Sequence, residues 1–357
     1  MGTMIWDRID GRDDRRGRRV RVVGVVDETH DTRSLLVEPA PEDTAAFGYS
    51  AGQFLTIRVP DQGRGGARCY SLASSPHVDT TLKVTVKRVH GGHGSNWVCD
   101  TITSGDELEV LPPAGTFGPK SLDESVVLIA GGSGITPVIS IAKSILVAGS
   151  GHVALIYANR DERSVVFAEE LRELADRHGT RFSVVHLLDS VQGRPTGAGL
   201  SALLQPYLDR QVYVCGPPPL MDLVASVCEA LGIERGRVHA ERFVSLQGNP
   251  FDAAGPVGDE APEDDDDPGC SVEVHLDGES HVVPWRGRKK LLDALLEAGL
   301  DAPFSCREGA CSACVCSLTS GEVRLAHNEI LSDDEIAEGY ILACQAESVG
   351  EKITIEY

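Results

Sequence analysis

At 357 residues, with 54 acidic against 33 basic side chains and a net charge of -21, the chain is long enough for two or three cores and lacks the basic face that nucleic-acid binding requires. No run of 18 apolar residues occurs, and the polar stretch from Asp7 to Arg19 reads as neither a secretory leader nor a lipidation signal, so no membrane attachment is expected. A cytoplasmic chain is the expectation, in which ten cysteines point to metal binding or catalysis rather than to a disulfide framework.

From Val20 to about Leu111 the segments VRVVGVV, SLLVEP, QFLTIRVP, RCYSL, TLKVTVKRV and ELEVL alternate or run apolar between Gly, Pro and Asp breaks. This pattern predicts an antiparallel barrel. Within it, KRVHGGHGSNWV carries Lys87, then a turn with Gly92 and Gly94, then Ser95 and Asn96 at an expected helix start. Free N–H groups at such a start hold phosphate. His90 and His93 lack a partner at ligand spacing and read as surface-loop histidines.

From Ser125 the pattern changes. The strands SVVLIA, HVALIYA, FSVVHLL and VYVCG alternate with helical stretches, which predicts a parallel sheet with crossover helices. IAGGSGITP, with Gly131, Gly132, Gly134, Thr136 and Pro137, lies between a strand and a helix, where backbone N–H groups reach a pyrophosphate. CGPPPLM, with Cys215, Gly216, Pro217 and Met221, ends a later strand and supplies a second loop at the same sheet edge. Asn159 and Arg160 end the strand where a dinucleotide's adenine ribose lies. Arg160 suits the 2′-phosphate of NADPH, whereas Asp161 and Glu162 repel it, so the nicotinamide stays open at this point.

Gly248 to Gly269, GNPFDAAGPVGDEAPEDDDDPG, mixes Pro, Gly and a block of acids without apolar period and reads as an extended linker that lets the flanking modules move. Beyond it, SVEVHL and HVVPW flank Asp277 and Gly278 as a hairpin. KKLLDALLEAG follows as a helix with Leu291, Leu292, Leu295 and Leu296 on one face and Gly299 at its stop, and Ser332 with Glu335 forms a capping box. The expected divisions are 1–120, 121–247, a linker over 248–269, and 270–357.

Cys306, Cys311, Cys314 and Cys344 stand as C-x4-C-x2-C with a distant fourth thiol, the plant-type pattern for one [2Fe-2S] cluster. Ser305, Gly309, Ala310, Ser312 and Ala313 keep the loop small enough for backbone N–H groups to approach sulfur. A zinc site more commonly takes two close cysteine pairs. Cys99, Cys228, Cys270 and Cys316 read as small core residues.

The C-terminal 90 or so residues resemble a plant-type ferredoxin, which has a β-grasp (α+β) fold, and the two glycine-rich loops with the upstream barrel resemble the ferredoxin reductase family. Flavin domain, nucleotide domain, then ferredoxin is the order of phthalate dioxygenase reductase and its FAD-containing relatives. NRDERSVVFAEEL, ERFVSLQGNPF and ILSDDEIAEGYILACQA resemble the reductase components of bacterial 3-ketosteroid 9α-hydroxylases, with the phenylacetyl-CoA epoxidase reductase as a near neighbour. The resemblance implies Arg68 on a flavin phosphate, Tyr70 against the flavin ring and Ser71 at its N5. It also implies phosphate contacts from the Lys87–Asn96 turn, Cys215 near the reacting nicotinamide carbon and Phe243 as a cover. It implies FAD, with FMN as the variant, and NADH rather than NADPH as donor. The implied partner is a terminal oxygenase, Rieske-type or alternatively a di-iron hydroxylase or epoxidase, served by a monomer. A reading of another class is a non-catalytic iron-sulfur or zinc interaction protein on a degenerate reductase scaffold.

Overall fold

A computed structural model describes residues 17–60, 66–251, 270–276, 278–285, 289–350 and 352–357. The first unit contains β1 (Arg18–Thr29), β2 (Thr32–Pro39), β3 (Phe54–Arg58), β4 (Ala67–Ser71), β5 (Leu82–Lys87), helix α1 (His93–Thr101) and β6 (Glu107–Ala114). Its antiparallel sheet runs β4-β3-β6-β1-β2-β5, and a bridge between Leu72 and Val84 joins the two edges into a barrel. Val20, Val22, Leu35, Val37, Leu55, Ile57, Val84 and Val86 alternate inward, so the period-two pattern becomes the barrel core.

The second unit follows as β7 (Val126–Gly131), α2 (Ile135–Ala148), β8 (Val153–Asn159), α3 (Ala168–His178), β9 (Phe182–Leu188), α4 (Asp189–Gln192), α5 (Gly197–Leu204), β10 (Gln211–Cys215), α6 (Pro218–Ala230) and β11 (Val238–Glu241). Its parallel sheet has the order β11-β10-β7-β8-β9. Helices cover both faces. Val126, Leu128 and Ala130 pack with α2 and α3, whereas Val127 and Ile129 pack with α5 and α6. The chain returns from β9 to β10 on the far side of β7, which puts the topological switch point between β7 and β10. Lys143 of α2, with only 4% of its side chain exposed, bonds Asp79 of the barrel unit and Glu170 of α3, each at 2.8 Å, and ties the two units together.

The third unit holds β12 (Cys270–Leu276), β13 (Glu279–Trp285), α7 (Leu291–Glu297), β14 (Val315–Ser320), β15 (Val323–Leu325), α8 (Asp333–Ala337), β16 (Tyr340–Leu342), β17 (Ala346–Ser348) and β18 (Lys352–Glu356). The sheet order is β13-β12-β18-β14-β16, with β12 parallel to β18 and α7 packed over it through Leu291, Leu292 and Leu295. Gly278 and Gly299 take positive φ (both 81°), as the hairpin and helix stop require, and Ser332 and Glu335 make the reciprocal capping bonds.

One expectation changes. The Gly/Pro/acid segment read as linker from Gly248 begins as packed chain: Phe251 is buried beneath the Arg58 guanidinium, 5.3 Å from its ring, in a cluster with Phe54, Leu111 and Leu246. Residues 252–269 of that segment lie outside the described residues.

Candidate functional site

The cluster loop is built by backbone conformation. Arg307, Gly309 and Ser312 take positive φ of 61°, 76° and 55°, turning N–H groups inward. Glu308 N and Ala310 N donate to Cys306 Sγ at 3.3 and 3.4 Å, and Cys306 N donates to Cys311 Sγ at 3.3 Å. The fourth thiol arrives because Ala343 N donates to Cys314 O at 3.0 Å and Leu292 N of α7 donates to Ala343 O at 2.9 Å. All four cysteines are buried. Hydrogen bonds from the Cys311 and Cys344 thiols, with the loop N–H groups, pull Cys306 below the ordinary thiol range despite burial. Among the described residues no three His, Cys, Asp or Glu side chains converge as around a single ion. The sulfurs interact as a chain, Cys311 with Cys306, Cys306 with Cys344 and Cys344 with Cys314. Four buried thiols under inward N–H groups fit a two-iron cluster, which takes four thiolates. The Ser312 hydroxyl, buried and without a protein partner, lies in the same loop.

The glycine-rich loops meet at the switch point. A Cβ on Gly131 would lie 2.7 Å from both Leu220 and Pro217, and one on Gly134 only 2.1 Å from Cys215 O. Glycine alone lets the two loops touch. Helix α2 starts with no side-chain cap, leaving its first N–H groups to the cleft. Thr136 donates to Ser133 O at 3.1 Å and, like Pro137, is buried in the first turn of α2. Asn159, 6% exposed at the end of β8, has the Tyr157 hydroxyl beside its amide but makes no full hydrogen bond within the protein, which leaves bonding capacity for a nucleotide. Cys215 is buried at the end of β10 beside Glu241, and burial raises its thiol well above the usual range. Met221 faces the core under α6 rather than the cleft.

On the barrel, Arg68, Tyr70 and Ser71 all come from β4. Gly94 makes room for Arg68, since a Cβ there would stand 2.7 Å from Arg68 Cγ, and Arg68 donates to Leu246 O at 3.3 Å. Burial holds the Tyr70 phenol above its ordinary range and so neutral. The turn before α1 is held by Ser95 Oγ, accepting from Val89 N at 3.2 Å, and Asn96, donating to Val89 O at 3.2 Å; Gly92 leaves α1 without a side-chain cap. A glycine cradle with an uncapped helix start fits a flavin phosphate. His93 opens α1 and meets Pro60 O rather than lying in a surface loop, because the helix begins earlier than its Ser-Asn signal suggests.

Lys87 and Arg160 converge on one carboxylate, Asp31 of the β1–β2 turn, at 3.4 and 2.8 Å. Burial works to raise Asp31, but hydrogen bonds from Thr29 and Thr32 and the Lys87 charge hold it below the ordinary range. Asp161 accepts from Ser164 N and Oγ at 2.9 and 2.7 Å and is used as a helix cap.

The barrel, the chain after β11 and the cluster loop close around one cleft lined by Phe54, Cys69, Ser71, Glu241, Arg242, Phe243, Val244, Ala310 and Cys311. Phe243 is 51% exposed there and is not a core aromatic. Glu241 escapes prediction from sequence; its only signal is a carboxylate at the carboxyl end of the edge strand. Partly buried at the cleft, it takes no stabilising charge from the described residues, and desolvation pushes it up to about 8. A carboxyl raised in the folded state stabilises the fold below its ordinary range, and that contribution is lost as pH rises toward 8. Glu241→Gln should therefore match the parent's melting temperature near pH 4.5 and exceed it increasingly through pH 8, by thermal melts across that range. A gap independent of pH would count against a neutral Glu241.

Three domain families match the chain: an oxidoreductase FAD-binding domain over 19–118, an oxidoreductase NAD-binding domain over 128–226, and a 2Fe-2S iron-sulfur cluster binding domain over 274–348. The ferredoxin reductase component of 3-ketosteroid-9-alpha-monooxygenase from Rhodococcus rhodochrous is 50% identical over 337 residues, covering 94% of this chain and 95% of its own. A component of the 1,2-phenylacetyl-CoA epoxidase of Escherichia coli K12 is 30% identical over 365 residues, covering 94% and 96%. Among solved structures, phthalate dioxygenase reductase, described as modular for electron transfer from pyridine nucleotides to [2Fe-2S], superimposes with a TM-score of 0.57 at 27% identity over 96% of this chain and 98% of its own.

Proposed function

The chain belongs to the family of ferredoxin reductase components of oxygenase systems, a flavin-dependent NAD(P)H oxidoreductase with FAD, NAD and 2Fe-2S domains, and from that membership we propose that it delivers electrons from NADH to the Rieske-type terminal oxygenase of a 3-ketosteroid 9α-hydroxylase. When bound, FAD converts a two-electron hydride into single electrons and the cluster carries them one at a time.

The chain's own residues supply binding and placement. On this reading Gly131, Gly132 and Gly134 present backbone N–H groups to the dinucleotide, Asn159 bonds its ribose side, and Cys215 and Gly216 border the nicotinamide. Arg68 and the Gly92–Asn96 turn neutralise and bond the flavin phosphates, with Lys87 held beside them by Asp31; Tyr70 and Phe243 flank the ring, and Ser71 offers its hydroxyl at the ring edge. Cys306, Cys311, Cys314 and Cys344 hold the irons. The carrying observation is the shared cleft, in which Ser71 of the flavin strand and Cys311 of the cluster loop line one wall-to-wall space with Glu241 at the nucleotide side.

Identity favours the steroid system over the epoxidase system, at 50% against 30%. Purified protein with NADH should drive a steroid 9α-oxygenase at least about tenfold faster than a di-iron epoxidase; the reverse ranking would sink the assignment. We further infer a cytoplasmic monomer. None of the ten cysteines forms a disulfide, as suits a reducing compartment, and among the described residues no helix is long and apolar enough to cross a membrane.

A further inference from the structure

Between the barrel and the cluster loop lies a line of three small polar side chains. Thr56 of β3, with no exposed surface, stands 2.6 Å from Ser305 Oγ, itself 1% exposed, and 3.3 Å from Cys69 Sγ on β4. Ser305 precedes the cluster ligand Cys306, and Cys69 precedes the flavin-strand residue Tyr70. The surroundings of the two hydroxyls are apolar: Phe54, Ala67, Leu111, Leu246 and Phe251 cluster with Cys306, Ala310, Cys311 and Ala313. A second clasp closes the same face, where the Glu308 carboxylate accepts from Gln247 N at 2.8 Å and Gly248 N at 2.5 Å.

Buried hydroxyls without partners are costly, so a dry interface that keeps them must form these bonds whenever it closes. We propose that Thr56 is the positioning residue for internal electron delivery: its hydroxyl, shared between Cys69 and Ser305, registers the cluster loop on the flavin strand. From Tyr70 to Cys306 the route then runs through covalent bonds and two hydrogen bonds, with no solvent gap. The step served moves one electron from bound flavin to the cluster, NADH having supplied the pair, and no bond forms or breaks at Thr56, Cys69 or Ser305. This rests on the reductase reading above.

Thr56→Val removes both bonds at nearly constant volume and strands the Ser305 hydroxyl in the closed interface. In stopped-flow mixing with NADH, flavin reduction should keep its parental rate while the following cluster reduction slows about tenfold, the equivalent of one lost buried bond. Thr56→Ser should restore it to within about twofold, and Thr56→Val with Ser305→Ala should be no slower than the single variants, because one shared bond is broken once. Deuterium uptake should rise in peptides spanning 54–58 and 305–311 of Thr56→Val and stay unchanged in the nucleotide sheet. Cluster reduction in Thr56→Val within twofold of the parent, unchanged uptake at the two peptides, or a Thr56→Ser variant as slow as Thr56→Val would each overturn the proposal. A parent protein whose cluster NADH never reduces would instead defeat the reductase reading.

Discussion

Cys311→Ser should leave NADH-dependent ferricyanide reduction within about twofold of the parent while cytochrome c reduction falls at least about tenfold. The asymmetry follows from position. On the proposed reading the nicotinamide binds at the β7–β10 switch point, where the glycine loops and Cys215 lie, on elements of the second unit rather than on the cluster loop. Cys311, by contrast, is one of four buried thiols, accepts from Cys306 N and lines the cleft shared with Ser71. A serine there replaces a soft thiolate with a poor ligand, so the two-iron centre is lost or impaired while the flavin half-reaction continues. Ferricyanide draws electrons from the flavin; cytochrome c reports the cluster exit. Paired steady-state assays on one preparation, with iron counted, make the check, and equal survival of both activities would show that the cluster is not the exit.

Gly134→Ala is the second large effect. The added methyl would meet Cys215 O at 2.1 Å, Cys215 C at 2.4 Å and Gly216 N at 2.8 Å, all backbone atoms of the opposing loop. Neither loop can yield without opening the switch point, because β7 and β10 are hydrogen-bonded neighbours in mid-sheet. The cost should be about 2–4 kcal/mol of stability, in the range of severe overpacking, with KM for NADH raised at least about tenfold. Gly236→Ala, where an added methyl meets nothing within 4 Å, should be neutral and serves as the control. Urea titrations and ferricyanide kinetics on both variants decide it.

Much of this was legible in the sequence, for identifiable reasons. Apolar alternation gave the strands, because a half-buried strand must show period two, and the cysteine spacing gave the cluster, because loop geometry dictates it. What stayed hidden depends on neighbours far apart in the chain. Thr56 and Ser305 are separated by 249 positions, and a hydroxyl pair has no periodicity to betray it. Arg160, whose place in nucleotide recognition the sequence left open, pairs with Asp31 of another domain, and Phe251, inside an apparently structureless acidic stretch, finds its core on the barrel. Glu241 is perturbed by the desolvation that folding imposes on it.

The most direct test is anaerobic mixing of the holoprotein with NADH, followed by absorbance and by electron paramagnetic resonance of frozen samples. Loss of the flavin absorbance followed by the signal of a reduced two-iron centre is the predicted result. Flavin bleaching that is never followed by that signal would contradict the passage of electrons from nucleotide through flavin to the four-cysteine loop.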